Sequence, residues 1–240
     1  MTPALGRALE RFVLPNACVA CDRAVPAHEP DALVCGVCRT RLRTVPEGCG
    51  RCGQPLPPIG PCRFCRDWDD ALDRARSAVW LDAPARAMVH HLKYDSLPGL
   101  GTDIGAVMTR RLPRPAGGIL VPVPLARPRH RARGYNQAAA IARALGLRWR
   151  VPVREALLSR IRDTATQTAL TPEARAANVA HAFAARAAGR RSAPVILVDD
   201  VLTTGATLVA AARALREAGW PAVTAVTFAR ALPYDLRAAG

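Results

Sequence analysis

The stretch Val195-Ile-Leu-Val-Asp-Asp-Val-Leu-Thr-Thr-Gly-Ala-Thr207 decides the fold of this 240-residue chain. Its first four residues are apolar and predict a buried strand, and apolar residues then recur at helical spacing from Leu208 to Leu215. In open α/β sheets, ligands bind where strands end and helices begin. Successive backbone N–H groups, three hydroxyls and a glycine over Thr203–Thr207 therefore predict a phosphate cradle.

Two adjacent carboxylates, Asp199 and Asp200, stand between the apolar run and this cradle. Placing two acids directly after four buried residues is unfavourable unless the carboxylates bind something. They are suited to accept hydrogen bonds from the vicinal hydroxyls of a sugar or to orient water on a metal ion. The alternative is an ordinary capped helix preceded by two solvent-facing acids. The strand–turn–helix context favours a sugar-phosphate site.

The remainder of residues 73–240 alternates between strand and helix patterns. Strands are predicted at Ala75–Leu81, Ile119–Val121, Val151–Leu158, Val195–Val198 and Val223–Phe228. Helices are predicted to begin at Pro84, Thr102, Asn136, Pro172 and Leu208, the third of them closed by Gly146. This alternation predicts an α/β fold with a mostly parallel sheet flanked by helices.

The cysteines divide the chain, because all eight lie between residues 18 and 65. They form four C-x-x-C pairs: Cys18/Cys21, Cys35/Cys38, Cys49/Cys52 and Cys62/Cys65. This spacing lets two thiolates from one tight turn bind a tetrahedral metal ion, so four pairs supply two structural zinc sites. Residues 1–72 are therefore predicted to form a double zinc ribbon, and residues 73–240 a second domain.

The cysteine pattern also has other interpretations. A disulfide scaffold would share the spacing, but a cytoplasmic chain keeps its thiols reduced, and a redox C-x-x-C usually occurs once. Sequential pairing joins the first two pairs at one zinc ion and the last two at the other, whereas a cross-brace combines alternate pairs. Sequential pairing is preferred for its loop length. We recognise no metal-ligand spacing among His90, His91, His130 and His181, and His28 is not needed beside eight cysteines.

Positive charge is concentrated in the second part of the chain. The net charge is +1 over residues 1–72 and +14 over residues 73–240, and residues 110–162 hold 13 arginines against one acid, Glu155. Such a band attracts phosphate groups, on a small substrate or on a nucleic acid. Compositional bias explains the preference for arginine but not the shortage of acids. Against that bias, Lys93 is the only lysine, and its point charge is not equivalent to an arginine fork.

Composition and hydropathy exclude several classes of protein. Hydrophobic residues make up 50% of the chain and charged residues 22%, which argues against a mainly disordered protein. No apolar run approaches the roughly 18 residues that a membrane-spanning helix needs. The first 20 residues lack the unbroken apolar stretch of a secretory signal. We therefore expect the chain in the cytoplasm.

The stretch Val198–Thr207 resembles the 5-phosphoribosyl-1-pyrophosphate (PRPP) loop of type I phosphoribosyltransferases. Other motifs are similar to those of ComF-like proteins: His91-Leu-Lys-Tyr94, Val121-Pro-Val-Pro-Leu125, Arg133-Gly-Tyr-Asn-Gln137 and Thr164-Ala-Thr-Gln-Thr-Ala-Leu170, with Arg175 and Asn178 beyond them. The resemblance covers about residues 76–230, and the double zinc ribbon ahead of it also resembles that family.

The resemblance implies a role for each site residue. Asp199 and Asp200 would hold the ribose hydroxyls of PRPP. The 5-phosphate would lie on Thr203, Thr204, Gly205, Ala206 and Thr207. Lys93 and Tyr94 would lie in a pyrophosphate loop after the first strand, with a surface lysine as the alternative. Residues 127–133 and 164–167 would form a mobile hood, or Arg133 and Gln137 would instead make structural contacts.

The resemblance implies two classes of function. The first is PRPP-dependent phosphoribosyl transfer, in which pyrophosphate leaves the anomeric carbon and Mg²⁺ neutralises the diphosphate. The second is a non-catalytic protein of competence and DNA uptake, which binds single-stranded DNA and has a sensory or vestigial PRPP site. The uptake machinery would then supply protein partners. Neither the acceptor substrate nor a general base follows from the sequence.

Overall fold

A computed structural model of the protein describes residues 17–25, 32–56, 62–162, 181–189 and 193–231. The Thr164–Leu170 motif, Arg175, Asn178, His28 and the helix predicted from Pro172 lie outside these residues. Within the described ranges, no helix combines the length and the apolar character needed to cross a membrane.

The described elements follow the alternation that the sequence predicts. The strands are β1 (Arg74–Trp80), β2 (Ile119–Pro122), β3 (Leu158–Arg160), β4 (Phe183–Ala185), β5 (Val195–Leu202) and β6 (Val223–Arg230). The helices are α1 (Gly36–Arg41), α2 (Ala83–Tyr94), α3 (Leu100–Arg111), α4 (Arg127–Arg133), α5 (Gln137–Trp149) and α6 (Ala206–Glu217). Four strands pair in parallel in the order β1-β6-β5-β2, and β3 pairs with β4 in a hairpin. The predicted mostly parallel α/β fold is confirmed.

Strand β5 is apolar on both sides because both faces of the sheet are covered. Ile196 and Val198 pack with helices α2, α3 and α5, whereas Val195 and Leu197 pack with α6. All four strands of the sheet run in the same direction, so their carboxyl ends meet at one edge. This edge is where the sequence predicts a ligand site.

The cysteine-rich part of the chain packs against the outer edge of this sheet. The N–H of Trp80 in β1 donates to the carbonyl of Arg43 at 2.9 Å, which covers an edge strand that would otherwise be open. Arg230, fully buried at the end of β6, donates from Nη1 to the carbonyl of Cys52 at 2.7 Å. The two predicted domains therefore share a hydrogen-bonded interface, and their boundary at residues 72/73 stays a prediction.

The strand predicted over Val151–Leu158 is wrong for most of its length. Val153 forms a single parallel bridge with Leu120, a 3₁₀ turn follows at Glu155–Leu157, and β3 begins only at Leu158. Pro152 has no N–H to donate, which limits pairing at this edge of the sheet.

The predicted helix end at Gly146 is also wrong. Helix α5 continues to Trp149, which is buried, and Arg150 forms the left-handed cap with φ 56°. Gly146 is required for packing instead, because a Cβ there would lie 2.6 Å from Val153 Cγ2. A glycine that permits close approach and one that ends a helix look alike in sequence.

Candidate functional site

The eight cysteines form two clusters, which confirms sequential pairing. The first cysteine cluster is Cys18, Cys21, Cys35 and Cys38, and the second cysteine cluster is Cys49, Cys52, Cys62 and Cys65. Within each cluster the Sγ atoms lie within 4.8 Å of one another. The Sγ atoms of Cys21 and Cys35 are 3.8 Å apart, and those of Cys49 and Cys65 are 3.6 Å apart. Four thiolates about 2.3 Å from a tetrahedral zinc ion would be separated by about 3.8 Å, so both clusters fit zinc.

One thiol in each cluster ionises readily. Burial opposes ionisation of Cys35 and Cys49, but backbone N–H groups and neighbouring thiols outweigh it and lower the pKa of each thiol to about 7. Metal binding requires thiolates, so each cluster offers a first ligand near neutral pH.

A further group of possible ligand atoms was not expected from sequence spacing. His90, His91 and Asp95 bring one ligand atom each within 4.8 Å of the others, at the end of α2. These residues are exposed or only partly buried, and His91 Nδ1 already contacts the carboxyl group of Asp95. The group carries no assignment to a metal.

The carboxyl ends of the strands open into a cleft of about 700 Å³. Its walls include Leu81 after β1, residues 123–125 after β2 and the end of β5. The predicted site residues that line the cleft are Lys93, Tyr94, Asp199, Asp200, Thr203 and Thr207. Residues from three separate parts of the sequence therefore meet in one place, as the ends of parallel strands require.

Lys93 lies in the last turn of α2, not in the loop expected after the first strand. From there its Nζ reaches Asp200 Oδ2 at 2.6 Å, with 24% of the Lys93 side chain and 5% of the Asp200 side chain exposed. The alternative of a surface lysine is therefore wrong. A largely desolvated ion pair at a strand end is stable only while both partners are present.

Burial and neighbouring charges shift the pKa values of Asp199 and Lys93. Burial raises the pKa of Asp199 well above its ordinary value, and the neighbouring Asp200 raises it further. Burial disfavours the ammonium of Lys93, but Asp200 outweighs this effect, and the pKa of Lys93 is raised. The Lys93 ammonium therefore lies where it can balance the negative charge of the neighbouring carboxylates. A carboxyl group with a perturbed pKa in a cleft is typical of functional sites.

The phosphate loop (Thr203–Thr207) joins β5 to α6 and is supported from outside the cleft. Gly205 has φ 86° and precedes the first residue of α6. A Cβ at Gly205 would lie 2.2 Å from Trp68 Cζ2 and would point at the indole. Trp68 Nε1 also donates to the carbonyl of Thr204 at 3.0 Å. Thr204, Gly205 and Ala206 thus lie behind the lining formed by Thr203 and Thr207.

The motif Arg133–Gln137 shapes the entrance of the cleft. Arg133 lines the cleft, donates to Gln137 Oε1 and places its guanidinium 5.7 Å from the ring centre of Tyr94. Asn136 accepts from the N–H of Ala138 at 3.0 Å and so caps α5. Arg133 therefore lines the cleft and also makes a structural contact at the start of α5.

Sequence reasoning missed several residues of the site. Arg86, His90 and Arg160 line the cleft, and Trp68 supports the phosphate loop. On α2, Arg86 lies two helical turns before Lys93 and His90 lies one turn before Tyr94, a periodicity that could have indicated a shared face. No sequence signal connects Trp68 with a loop 136 positions away.

The fold and the cleft define the class of protein: an α/β domain of the phosphoribosyltransferase type, joined to two four-cysteine clusters. The family described as "Phosphoribosyl transferase domain" matches residues 131–236. This range includes β5, the carboxylate pair and the phosphate loop.

Curated relatives match most of the chain. It is 30% identical over 203 residues to the DNA utilization protein YhgH of Salmonella typhimurium, covering 78% of this chain and 85% of the relative. It is 27% identical to Competence protein F of Haemophilus influenzae (82% and 90% covered) and 27% identical to Competence protein ComFC of Bacillus subtilis (84% and 89% covered). The chain belongs to the ComF family, as its motifs predict.

Proposed function

We propose that this protein binds PRPP with Mg²⁺ in the cleft at the end of β5. One observation carries the proposal: two adjacent carboxylates, of which Asp200 is buried, line one cleft together with the lysine paired to Asp200 and a helix-starting loop. Asp199 and Asp200 offer hydrogen-bond acceptors to the ribose hydroxyls. The phosphate loop offers backbone N–H groups to the 5-phosphate, and Lys93 offers positive charge to the pyrophosphate. Oxygen donors such as these carboxylates also suit Mg²⁺ and the water molecules around it.

The same arrangement supports phosphoribosyl transfer. The bond between the anomeric carbon and the pyrophosphate oxygen would break, and a bond from the acceptor would form at that carbon. Bound Mg²⁺ would neutralise charge on the diphosphate. The phosphate loop and the carboxylate pair would fix the ribose, while Lys93, released from Asp200 by the ribose hydroxyls, would face the leaving group.

The cysteine clusters complete the proposal. Each would hold one structural zinc ion, because four protein thiolates leave no open coordination position. Residues 1–72 would then form a zinc module and residues 73–240 the PRPP-binding domain. We place the protein in the cytoplasm, where cysteines that form no disulfide remain reduced and available to the metal.

Binding is tested by calorimetric titration of the full chain with PRPP and Mg²⁺. We expect Asp200→Asn to weaken PRPP binding at least about tenfold, since a hydrogen bond to a charged group contributes about 1.5–3 kcal/mol. Glu155→Gln serves as the matched control, because it removes an exposed carboxylate paired with Arg143. Equal PRPP affinity in wild type and Asp200→Asn, with the fold intact, would contradict the assignment of the carboxylate pair.

A wider role in DNA uptake or utilization is proposed from the names of the relatives. Helix α4 favours it, because Arg127, Arg129, Arg131 and Arg133 share a short helix that has no acid in its first turn and no buried residue. Tyr94, 66% exposed beside Arg133, presents a ring on which a base could stack. Single-stranded DNA is therefore the second candidate ligand, with uptake proteins as partners.

The triple variant Arg129→Ala, Arg131→Ala, Arg133→Ala tests this candidate. For single strands the log–log salt slope is roughly −0.7 per neutralised phosphate, so losing three contacts should flatten the slope by about two. The control triple variant changes three exposed arginines of the same charged band: Arg143, Arg148 and Arg154. DNA affinity that falls equally in both triples would show a general charge effect. PRPP turnover with an acceptor and no DNA binding would reject the DNA-binding candidate.

A further inference from the structure

Trp68 takes no part in the proposed chemistry, yet it makes two contacts with the phosphate loop. Its Nε1 donates to the carbonyl of Thr204 at 3.0 Å, and its ring stands where a Cβ of Gly205 would lie. The hydrogen bond sets the direction of one peptide unit, and the ring sets how far the loop can move outward. Because Trp68 as a whole is only 8% exposed, both contacts are shielded from water.

Trp68 is itself held by the two turns of the second cysteine cluster. Its N–H donates to the carbonyl of Cys65 at 3.2 Å. Its own carbonyl accepts from Nη1 of Arg51, a residue between Cys49 and Cys52, at 3.0 Å. Its ring meets Phe64 edge-on with 5.8 Å between the centroids. Both cysteine turns that would share one metal ion therefore hold the backbone of Trp68, and Phe64 in one of these turns contacts its indole.

The segment that follows Trp68 is attached to the helix that begins at the phosphate loop. Asp69 Oδ2 accepts from Nε of Arg213 on α6 at 2.8 Å. Asp73 pairs with Arg216 on the same helix. The second cysteine cluster and α6 accordingly belong to one hydrophobic core, on one side of the sheet.

The first cysteine cluster packs on the opposite side of the sheet. Its buried members belong to the core of α2, α3 and α5. Between Cys21 and Cys35, the N–H of Leu33 donates to Asp103 Oδ2 on α3 at 2.9 Å. The two cysteine clusters, alike in sequence, thus support different elements of the same domain.

We propose that Trp68 is a positioning residue for the phosphate loop and that metal bound at the second cysteine cluster holds it in place. Affinity for a phosphate monoester then depends on the second cysteine cluster and not on the first. This inference rests on the proposed function, because it takes the phosphate loop as the 5-phosphate site.

The test compares two small probes on the full zinc-loaded chain. Ribose 5-phosphate would need the phosphate loop, whereas magnesium pyrophosphate would bind near Lys93. We expect Trp68→Phe, which keeps an aromatic ring, to weaken ribose 5-phosphate binding about tenfold through the lost hydrogen bond and to leave pyrophosphate binding within about twofold. Equal weakening of both probes would overturn the positioning role in favour of a general structural one.

The matched control is Trp220→Phe. Trp220 Nε1 donates to the carbonyl of Arg186 at 2.9 Å, a bond of the same kind just beyond the far end of α6. We expect this variant to leave both affinities unchanged. Loss of ribose 5-phosphate binding in both variants would overturn the proposal.

The role of the bound metal is tested with two variants, each of which changes one partly buried cysteine. Cys62→Ser alters the second cysteine cluster, and Cys21→Ser alters the first. Each serine variant should lower the zinc content from about two ions to about one per chain. Only Cys62→Ser should reproduce the loss of ribose 5-phosphate affinity. An unchanged affinity in Cys62→Ser, or an equal loss in Cys21→Ser, would overturn the role of the second cysteine cluster.

Amide hydrogen exchange separates this inference from the proposed function. We expect faster exchange of the phosphate-loop amides in Trp68→Phe than in Trp220→Phe, whether or not a ligand binds. If wild type binds no ribose 5-phosphate while the exchange difference is present, the proposed function is wrong and the positioning role stands. Unchanged loop exchange in Trp68→Phe overturns the positioning role.

Discussion

Replacing Lys93 with methionine is expected to lower the free energy of unfolding by about 3 kcal/mol, because it leaves Asp200 as a buried charge without its partner. The Lys93 ammonium lies 2.6 Å from Asp200 Oδ2, and only 5% of the Asp200 side chain is exposed. Denaturant unfolding of the purified chain measures the change. PRPP affinity should fall in the same variant, since Lys93 lines the cleft.

The double variant Lys93→Met, Asp200→Asn distinguishes lost pairing from lost packing. Removing both charges should recover most of the stability, because no uncompensated charge remains, but PRPP binding should not return. Arg143→Met is the control, as it breaks an exposed ion pair with Glu155 and should change stability by less than about 1 kcal/mol. A single Lys93→Met variant as stable as Arg143→Met would contradict the importance of the buried pair.

Gly205→Ala is expected to lower the free energy of unfolding by a comparable amount, for two reasons whose contributions add. The backbone at Gly205 has φ 86°, and a residue with a Cβ there loses about 1–2 kcal/mol. The new Cβ would lie 2.2 Å from Trp68 Cζ2, and overpacking of this kind adds about 1–3 kcal/mol. Ribose 5-phosphate affinity should also fall, because the loop must move away from the indole.

Gly134→Ala separates these two contributions. Gly134 has φ 79°, so alanine there meets the same backbone penalty, but its Cβ would find nothing within 4 Å. We therefore expect Gly134→Ala to lower the free energy of unfolding by the backbone penalty alone. Chemical unfolding of this variant and of Gly205→Ala, measured side by side, tests this expectation. Equal losses in the two variants would mean that contact with Trp68 adds nothing.

The sequence predicted those parts of the site that depend on residues near one another in the chain. A C-x-x-C turn, and an apolar strand followed by two acids and a glycine-containing turn, each lie within a dozen or so residues. Their local geometry follows from residue type and spacing. The two cysteine clusters and the strand–loop–helix unit at β5 were therefore predictable, and the family motifs pointed to the same fold.

Contacts between distant residues were not predictable. Lys93 and Asp200 meet because α2 ends beside the end of β5, and this depends on how the helix crosses the sheet. Trp68 reaches Gly205 because the cysteine-rich part docks on the sheet from outside. Hydrophobic patterns predict which face of an element is buried but not which partner covers it. The same limitation explains why the helix end predicted at Gly146 was wrong, because the need for glycine there arises from its contact with Val153.

The order of the strands has a consequence for synthesis of the chain. Strand β6 is the last of the four in sequence, yet it lies between β1 and β5 in the sheet. While a ribosome is still making residues before 223, β1 has no parallel neighbour and the cysteine-rich part has no Arg230 to bind. The cysteine turns can fold locally once they bind metal. The sheet, in contrast, is complete only when β6 inserts between β1 and β5, which are distant from each other in sequence. The four-stranded sheet is therefore completed only after β6 has been synthesised, in a step that joins β1 and the cysteine-rich part to β5.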